Sequence, residues 1–227
     1  MDNKNLIKGT MVYSLSNIVT KLGSLIFLPI ITRLLTKEEF GIVGTLGPIA
    51  TLFGVVLGLG LYNAQMKKYI DLKDDEREMG SYMFSTCLII ITFNIMVYIF
   101  LSTPLAKRLF SYIIDLNTVS YNPLVLITIM IASVNALNTL ATTLFRMKKM
   151  YMKVAIGSLI SVFTTYFLII FFVKSLKMSV LGYQSANLIA IILLLIYYFK
   201  DYFGKFTLRL RSAYIRYSIK NGLPLIF

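Results

Sequence analysis

Six continuous apolar runs constrain this chain more than any other feature of its sequence. A hydrocarbon core of roughly 30 Å requires about 20 helical residues to cross it. The runs that reach this length between charged residues are 11–33, 40–66, 81–103, 122–145, 154–173 and 179–199. Because they are continuously apolar rather than alternating, they predict helices and not the strands of a membrane barrel. The predicted fold class is therefore all-α, a polytopic membrane bundle of six transmembrane helices.

The composition agrees with a membrane protein and removes several classes of chemistry. Hydrophobic residues make up 57% of the chain and the mean hydropathy is +0.76, outside the range of soluble domains. There is no histidine, and the one cysteine, Cys87, lies inside an apolar run. His-assisted nucleophiles, His metal ligands and thiolate metal cages are thus excluded. We expect no catalytic residue, no metal, no cofactor and no enzyme activity.

The positive charge lies between the spans and predicts their orientation. Sixteen of the 23 lysines and arginines flank the spans on the side of the amino terminus, and six flank them on the opposite side. Cytoplasmic loops are the ones enriched in these residues, so the amino terminus is predicted to be cytoplasmic. The same distribution predicts no nucleic-acid partner. It predicts instead that the basic segment 200–220 lies against anionic membrane lipid.

These observations divide the chain into three predicted parts. Residues 1–199 form an amino-terminal six-helix transmembrane lobe, and residues 200–220 form a basic cytoplasmic juxtamembrane helix or linker. Residues 221–227 resemble the start of a seventh transmembrane helix that has nothing behind it. We therefore expect a truncated chain, or the amino-terminal portion of a longer protein.

Lys21 is the one ionisable residue predicted deep within a span, which makes it the first functional candidate. Ser14, Asn17 and Ser24 recur with it at helical intervals, so one face of the first span is predicted to line a wet cavity. All ten acids lie in termini or loops, and a cation without a buried acid suits an anion such as phosphate. The alternative is helix packing by the small polar residues, with Lys21 paired to a carbonyl.

Weaker polar stripes occur on later spans. Asn135, Asn138 and Arg146 share a face of the fourth span, and Ser158 and Thr165 share a face of the fifth. Each stripe alone is more often packing than ligand binding. The second span holds six glycines and a proline, which predicts close helix packing or a helix that bends during transport.

Two segments carry a resemblance to a known family. Residues 28–41, LPIITRLLTKEEFG, and residues 217–224, YSIKNGLP, resemble the signatures of polysaccharide flippases. These are the O-antigen and teichoic-acid-type exporters of the multidrug/oligosaccharidyl-lipid/polysaccharide superfamily, which is MATE-like. Shorter segments at 144–147 and 181–184 fit the same pattern in order. The resemblance covers essentially the whole chain.

The resemblance implies a fold of two six-helix bundles around a V-shaped cavity, with this chain as the first lobe. Its relatives move an undecaprenyl-pyrophosphate-linked oligosaccharide, the repeat unit of a polysaccharide such as lipopolysaccharide O-antigen, across the bacterial cell membrane by alternating access. Basic cavity residues are expected to hold the pyrophosphate. Carried onto this sequence, that role falls on Lys21, with Arg33 and Arg146 as further candidates. A second lobe or polysaccharide polymerase machinery is the expected partner.

Three other functions remain open at this point. A cation-coupled multidrug exporter of the same fold needs an intramembrane acid, which these spans lack. A membrane-embedded glycan ligase or acyltransferase generally needs histidine, acidic or long external-loop groups, and the chain has no histidine. A non-transporting gene fragment is the third alternative.

Overall fold

A computed structural model describes residues 18–19, 21–23, 25–112, 114–116 and 118–225. These residues form helices joined by short turns, with no strand among them. The helices are α1 (described residues of 18–34), α2 (Lys37–Gly58), α3 (Leu61–Leu72), α4 (Glu76–Leu101), α5 (Pro104–Phe110), α6 (Leu126–Met147), α7 (Tyr151–Ile170), α8 (Ser179–Tyr202) and α9 (Ser212–Gly222). Single π turns precede α6 and follow α7. The predicted all-α class is confirmed.

Five helical segments within the described residues are long and apolar enough to cross a membrane. They are Lys37–Gly58, Glu76–Leu101, Tyr121–Met147, Tyr151–Ser175 and Ser179–Lys205. Each corresponds to a predicted span, with ends that differ by a few residues except in the second. The first predicted span, 11–33, begins outside the described residues, and those that are described in it are helical. A multi-pass membrane bundle follows from length and composition.

The second predicted span is wrong beyond residue 58, because the helix is broken there. Leu59 and Gly60 both have left-handed backbone angles, with φ of 50° and 61°. Gly60 adopts this conformation without the steric penalty of a side chain, so α2 ends and α3 starts in a new direction. At its other end α2 begins with a capping box, in which Thr36 and Glu39 each accept from the other's backbone N–H.

Helix α6 occupies the centre of the bundle and packs against α2, α3, α4, α7 and α8. Small side chains contribute to this packing: Ala132 and Ala141 are fully buried, and Gly58 faces Ala136, whose Cβ lies 3.9 Å from a Cβ built on the glycine. Polar contacts add to the packing. The side-chain amide of Asn138 donates to the carbonyl of Ile191 on α8 at 3.1 Å.

Helix α3 is fixed to the bundle by a buried amide. The Gln65 amide nitrogen donates to the carbonyl of Leu140 at 2.9 Å, and its oxygen accepts from the Tyr202 hydroxyl at 3.0 Å. Both polar atoms of this fully buried side chain are therefore satisfied, as burial in an apolar environment requires. The contacts join the first half of α3 to α6 and to the last turn of α8.

Helix α9 lies against α3 and α4 rather than apart from the bundle. The buried Ser218 hydroxyl donates to the Tyr82 hydroxyl at 3.1 Å and lies 3.3 Å from that of Thr86. Arg211 pairs with Glu78 at 2.6 Å, and the Tyr214 hydroxyl donates to the same carboxylate. Burial, and next the bond to Glu78, raise the pKa of Tyr214 to about 12. Within the predicted basic helix 200–220, residues 206–211 are non-helical and only the later part is α9.

The segment between α8 and α9 packs directly against α4 at Gly80. A Cβ built on Gly80 would lie 2.4 Å from the carbonyl oxygen of Lys205 and 2.9 Å from the backbone nitrogen of Thr207. These are backbone atoms, which cannot move aside as a flexible side chain can. Gly80 therefore determines how closely the segment approaches the bundle.

We expect Gly80→Ala to destabilise the protein by about 1–3 kcal/mol, because the added methyl forces the segment after α8 away from α4. Gly47→Ala is the matched control, since no atom lies within 4 Å of a Cβ built there. That change should be neutral or stabilising by about 0.5–1 kcal/mol, the helix preference for alanine. Thermal unfolding of the detergent-solubilised protein measures both, and equal effects would contradict the close approach at Gly80.

Candidate functional site

A groove between α2 and α6 is the candidate binding site. Its volume is about 430 Å³, comparable with the pockets that hold small ligands. It extends from the middle of α2 to the break where α3 begins. The lining residues are Ala50, Thr51, Gly54, Val55, Gly58, Gly60, Tyr62, Asn135, Ala136, Thr139 and Leu140.

The glycines of α2 create this groove. A Cβ built on Gly54 would have no atom within 4 Å, so the missing side chain leaves open space. A Cβ built on Gly58, one turn later, would contact the Cβ of Ala136 on α6 at 3.9 Å. The two glycines thus have different surroundings along α2. Gly58 lies where α2 meets α6, and Gly54 leaves room beside that contact.

The polar groups in the groove are neutral. The Thr51 and Thr139 hydroxyls donate to carbonyls four residues earlier, at 3.1 and 2.8 Å, so their oxygens remain able to accept. Asn135 is exposed and carries both donors and an acceptor. No lysine, arginine or carboxylate lies among the described lining residues. Such a surface suits hydroxyl-rich ligands better than phosphate.

Lys21 lies on α1, outside this groove. A Cβ built on Gly23 would lie 3.3 Å from Val162 of α7, and the Phe27 ring stacks on Tyr166 with centroids 4.2 Å apart. These residues define the α7-facing side of α1. Lys21 lies two residues before Gly23, about 200° around the helix, and is exposed on the far side.

The other predicted site residues are not brought together into one cluster. Asn135 lines the groove, whereas Asn138 is only 4% exposed and bonds to α8. The two side chains are only about 60° apart around α6, because three residues rotate a helix by about 300°. Their neighbours differ nevertheless, since Asn135 faces the groove and Asn138 contacts α8. Arg33 is exposed near the end of α1, and Arg146 is exposed in the last turn of α6.

Ser14, Asn17 and Ser24 lie outside the described residues, so the proposed polar face of α1 stays a prediction. The hydroxyl groups of the stripe on the fifth span form hydrogen bonds within their own helix, α7. Ser158 and Thr165 donate to carbonyls four residues earlier, at 3.0 and 2.8 Å. This is the usual behaviour of hydroxyls within apolar helices and agrees with the packing alternative.

Sequence reasoning missed three polar residues of the groove, Thr51, Thr139 and Tyr62. Thr139 follows Asn135 by four residues, so helical periodicity could have added it to the stripe on α6. Tyr62 enters the site only because the chain turns at Leu59 and Gly60. A continuous helix through residue 66 would have carried it elsewhere.

The chain matches the sequence profile of a known family. The family is described as polysaccharide biosynthesis protein, and the match runs over residues 6–227. The chain belongs to this family. The resemblance found in residues 28–41 and 217–224 is thereby confirmed. No curated protein matches the chain significantly.

Solved transporter structures share the fold of this polysaccharide biosynthesis protein. MATE in the straight conformation is 16% identical, with a TM-score of 0.76 over 98% of this chain and 52% of that one. A MOP superfamily transporter from Pyrococcus furiosus, with a binding pocket of reverse polarity, is 14% identical, with a TM-score of 0.71 over 98% and 51%. An outward-facing multidrug resistance MATE family transporter is 16% identical, with a TM-score of 0.68 over 98% and 51%. The chain therefore spans about half the length of these structures.

We expect the groove to be wet, which cysteine labelling can test. Asn135→Cys and Thr139→Cys should react with a membrane-impermeant maleimide, because a thiol reacts as its hydrated thiolate. Asn138→Cys, packed on α8, should stay protected. Leu52→Cys is the matched control on α2, since Leu52 is 69% exposed but faces away from the groove lining.

The background in this experiment is low because Cys87, the one native cysteine, is only 2% exposed. Labelling at Leu52→Cys as fast as at Asn135→Cys would mean that the method does not separate water from lipid. Protection of both groove positions would show that lipid or protein fills the groove.

Proposed function

We propose that this polysaccharide biosynthesis protein forms one lobe of a flippase for lipid-linked oligosaccharide. The substrate class is a glycan carried on undecaprenyl pyrophosphate, moved from the cytoplasmic to the outer leaflet of a bacterial cell membrane. The observation that carries the proposal is the neutral, polar groove between α2 and α6 in a chain of this family. The transport cycle is proposed for a complete two-lobed transporter, since the chain matches half of such structures.

The groove suits the glycan portion of this substrate. Sugar hydroxyls both donate and accept, and Asn135, Thr51, Thr139 and Tyr62 offer complementary groups without a charge. Moving hydroxyls through hydrocarbon without partners costs several kcal/mol for each group. A polar groove at membrane depth lowers that cost along the path of the sugar.

The pyrophosphate requires a cation, and Lys21 is the residue we assign to it. It is exposed on the side of α1 away from α7. Exposed apolar residues, Ile18 and Leu25, lie beside it on the same face. A lysine there is costly against acyl chains, and an opposing lobe or an anionic substrate would reduce that cost. Arg33 and Arg146, at helix ends, are assigned to guiding the anion in and out.

Alternating access is the mechanism that we propose for such a site. Two lobes that rock against each other expose one cleft first to one side of the membrane and then to the other. The break at Leu59 and Gly60 lies at one end of the groove and gives α2 and α3 separate directions. We assign to this break the flexing of the groove wall during the cycle.

A cation-coupled drug exporter is the second candidate, because a multidrug resistance MATE family transporter is among the similar structures. Such a protein would need a carboxylate at membrane depth. The carboxylates of the described spanning helices lie near helix ends and are largely engaged: Glu39 in the capping box of α2, Glu78 with Arg211, and Asp201 with Lys153. This lobe therefore favours the flippase.

In the full-length protein, Lys21→Ala should reduce glycan export by about 10-fold to 100-fold, the loss expected when a charged hydrogen-bond partner is removed. Lys21→Arg should retain most of the export because it keeps the positive charge. Surface display of the glycan, together with accumulation of its lipid-linked precursor, measures the effect.

The matched control is Lys37→Ala, which removes a lysine from the exposed start of α2. Membrane abundance of each variant must be equal for the comparison to hold. Unchanged export in Lys21→Ala would reject Lys21 as the anchor. Normal export in an Asn135→Leu and Thr139→Val double variant would reject the groove, and efflux of cationic dyes without any glycan defect would favour the drug exporter.

A further inference from the structure

A second cavity lies at the end of the bundle where α4 begins and α6 and α8 end. Its volume is about 300 Å³, and it is separate from the groove between α2 and α6. Three connections meet there: the turn from α3 to α4, the turn from α6 to α7, and the segment between α8 and α9. The described lining residues are Tyr69, Lys73, Glu76, Arg77, Met79, Gly80, Met83, Lys148, Gly204, Lys205 and Thr207.

Four cations line this cavity against one carboxylate. Lys73, Lys148 and Lys205 come from three different connections, and Arg77 comes from the first turn of α4. Glu76 is the one acid among the described lining residues. Glu76 is paired with Lys205 at 3.2 Å. The other three cations have no ion pair within the described part of the chain. The cavity therefore carries an excess of three positive charges.

Lys148 is half-buried in this cavity, whereas Lys73, Arg77 and Lys205 are exposed around it. Burial, and next the proximity of Lys205, lower the pKa of Lys148. The fold holds these cations close together because Gly80 lets the segment carrying Lys205 and Thr207 touch α4. Like charges held in this way repel one another, and a bound anion relieves the repulsion.

The cavity combines two kinds of surface. Its rim carries the cations, and its inner wall includes Met79 and Met83, which are buried side chains. The spanning helices end at this level, so the cavity lies where lipid headgroups meet the protein. Basic pockets at this depth, on the side predicted to be cytoplasmic, bind phosphate-bearing headgroups in other membrane proteins.

We propose that this cavity is a binding site for a phosphate-bearing anion, the headgroup of an anionic membrane lipid, held by Lys73, Arg77, Lys148 and Lys205. The site is distinct from the proposed transport groove and does not depend on it. A bound phosphate would join the segment after α8 to the ends of α3 and α6. It would thereby stabilise the position of α9 against the bundle.

The test measures binding of phosphatidylglycerol, compared with phosphatidylcholine, to the full-length protein by native mass spectrometry in detergent. The wild type should prefer phosphatidylglycerol. Lys148→Gln should weaken that binding roughly fivefold, the effect of one lysine near an anionic headgroup. Lys149→Gln is the matched control, because it removes the same charge from the same turn but does not line the cavity. Its affinity should equal that of the wild type.

Glu76→Gln provides a test of opposite sign. It removes the carboxylate and releases Lys205, so binding of phosphatidylglycerol should become stronger. This arm also keeps the proposal testable if Lys148→Gln fails to fold. Competition by inorganic phosphate distinguishes a site for the phosphate group from a site for the whole lipid headgroup. If phosphate competes, the site recognises the phosphate group itself, and if it does not, the site recognises the lipid headgroup as a whole.

Three results would overturn the proposal. They are an absence of preference for phosphatidylglycerol in the wild type, an equal loss in Lys148→Gln and Lys149→Gln, and no gain in Glu76→Gln. An equal loss in both lysine variants would mean diffuse attraction to the basic surface. Because no transport is measured, failure here leaves the flippase proposal untouched, and failure of glycan export leaves this one untouched.

Discussion

The close packing of neighbouring helices against α6 is the constraint on which the rest of the structure depends. Within a membrane, apolar side chains gain little by leaving lipid for protein, so helices associate through close van der Waals contact and polar bonds. The fully buried Ala132 and Ala141 of α6 show the close contact. Asn138 and Gln65 supply the polar bonds, because each donates to a backbone carbonyl of a neighbouring helix. These contacts fix α2, α3 and α8 around α6, and the groove is the space that remains where Gly54 offers no side chain.

The polar residues of the bundle therefore divide into three roles. Some hydroxyls satisfy carbonyls of their own helix, as Ser158 does. Some side chains join helices, as Gln65 and Ser218 do. A few, such as Asn135, face open space and are the ones available to a ligand. Only the third group supports a binding function, and it is smaller than the number of polar residues in the spans suggests.

The two cavities differ in the charge of the side chains that line them. The groove between α2 and α6 carries no charge in its described lining, whereas the cavity where α4 begins concentrates four cations from α4 and three connections. Ion pairs at the same end, between Arg211 and Glu78 and between Lys205 and Glu76, hold α9 and the preceding segment to α4. The end of the bundle where α4 begins thus holds α9 against α4 and carries an excess of cations. The groove, in contrast, suits neutral polar groups.

Sequence patterns alone predict the all-α membrane class, the approximate position of the spans and the family. Backbone groups in lipid must be satisfied within each helix, so length and hydropathy suffice for the spans, and the family signatures are local in the chain. The three-residue step between Asn135 and Asn138 hid their different neighbours, because periodicity gives relative directions on a helix but not what each direction faces. The break at Leu59 and Gly60, the bond from Asn138 to α8, and the proximity of Lys73, Lys148 and Lys205 become visible in the folded chain alone. These features depend on contacts between residues far apart in the chain, which local composition and spacing do not contain.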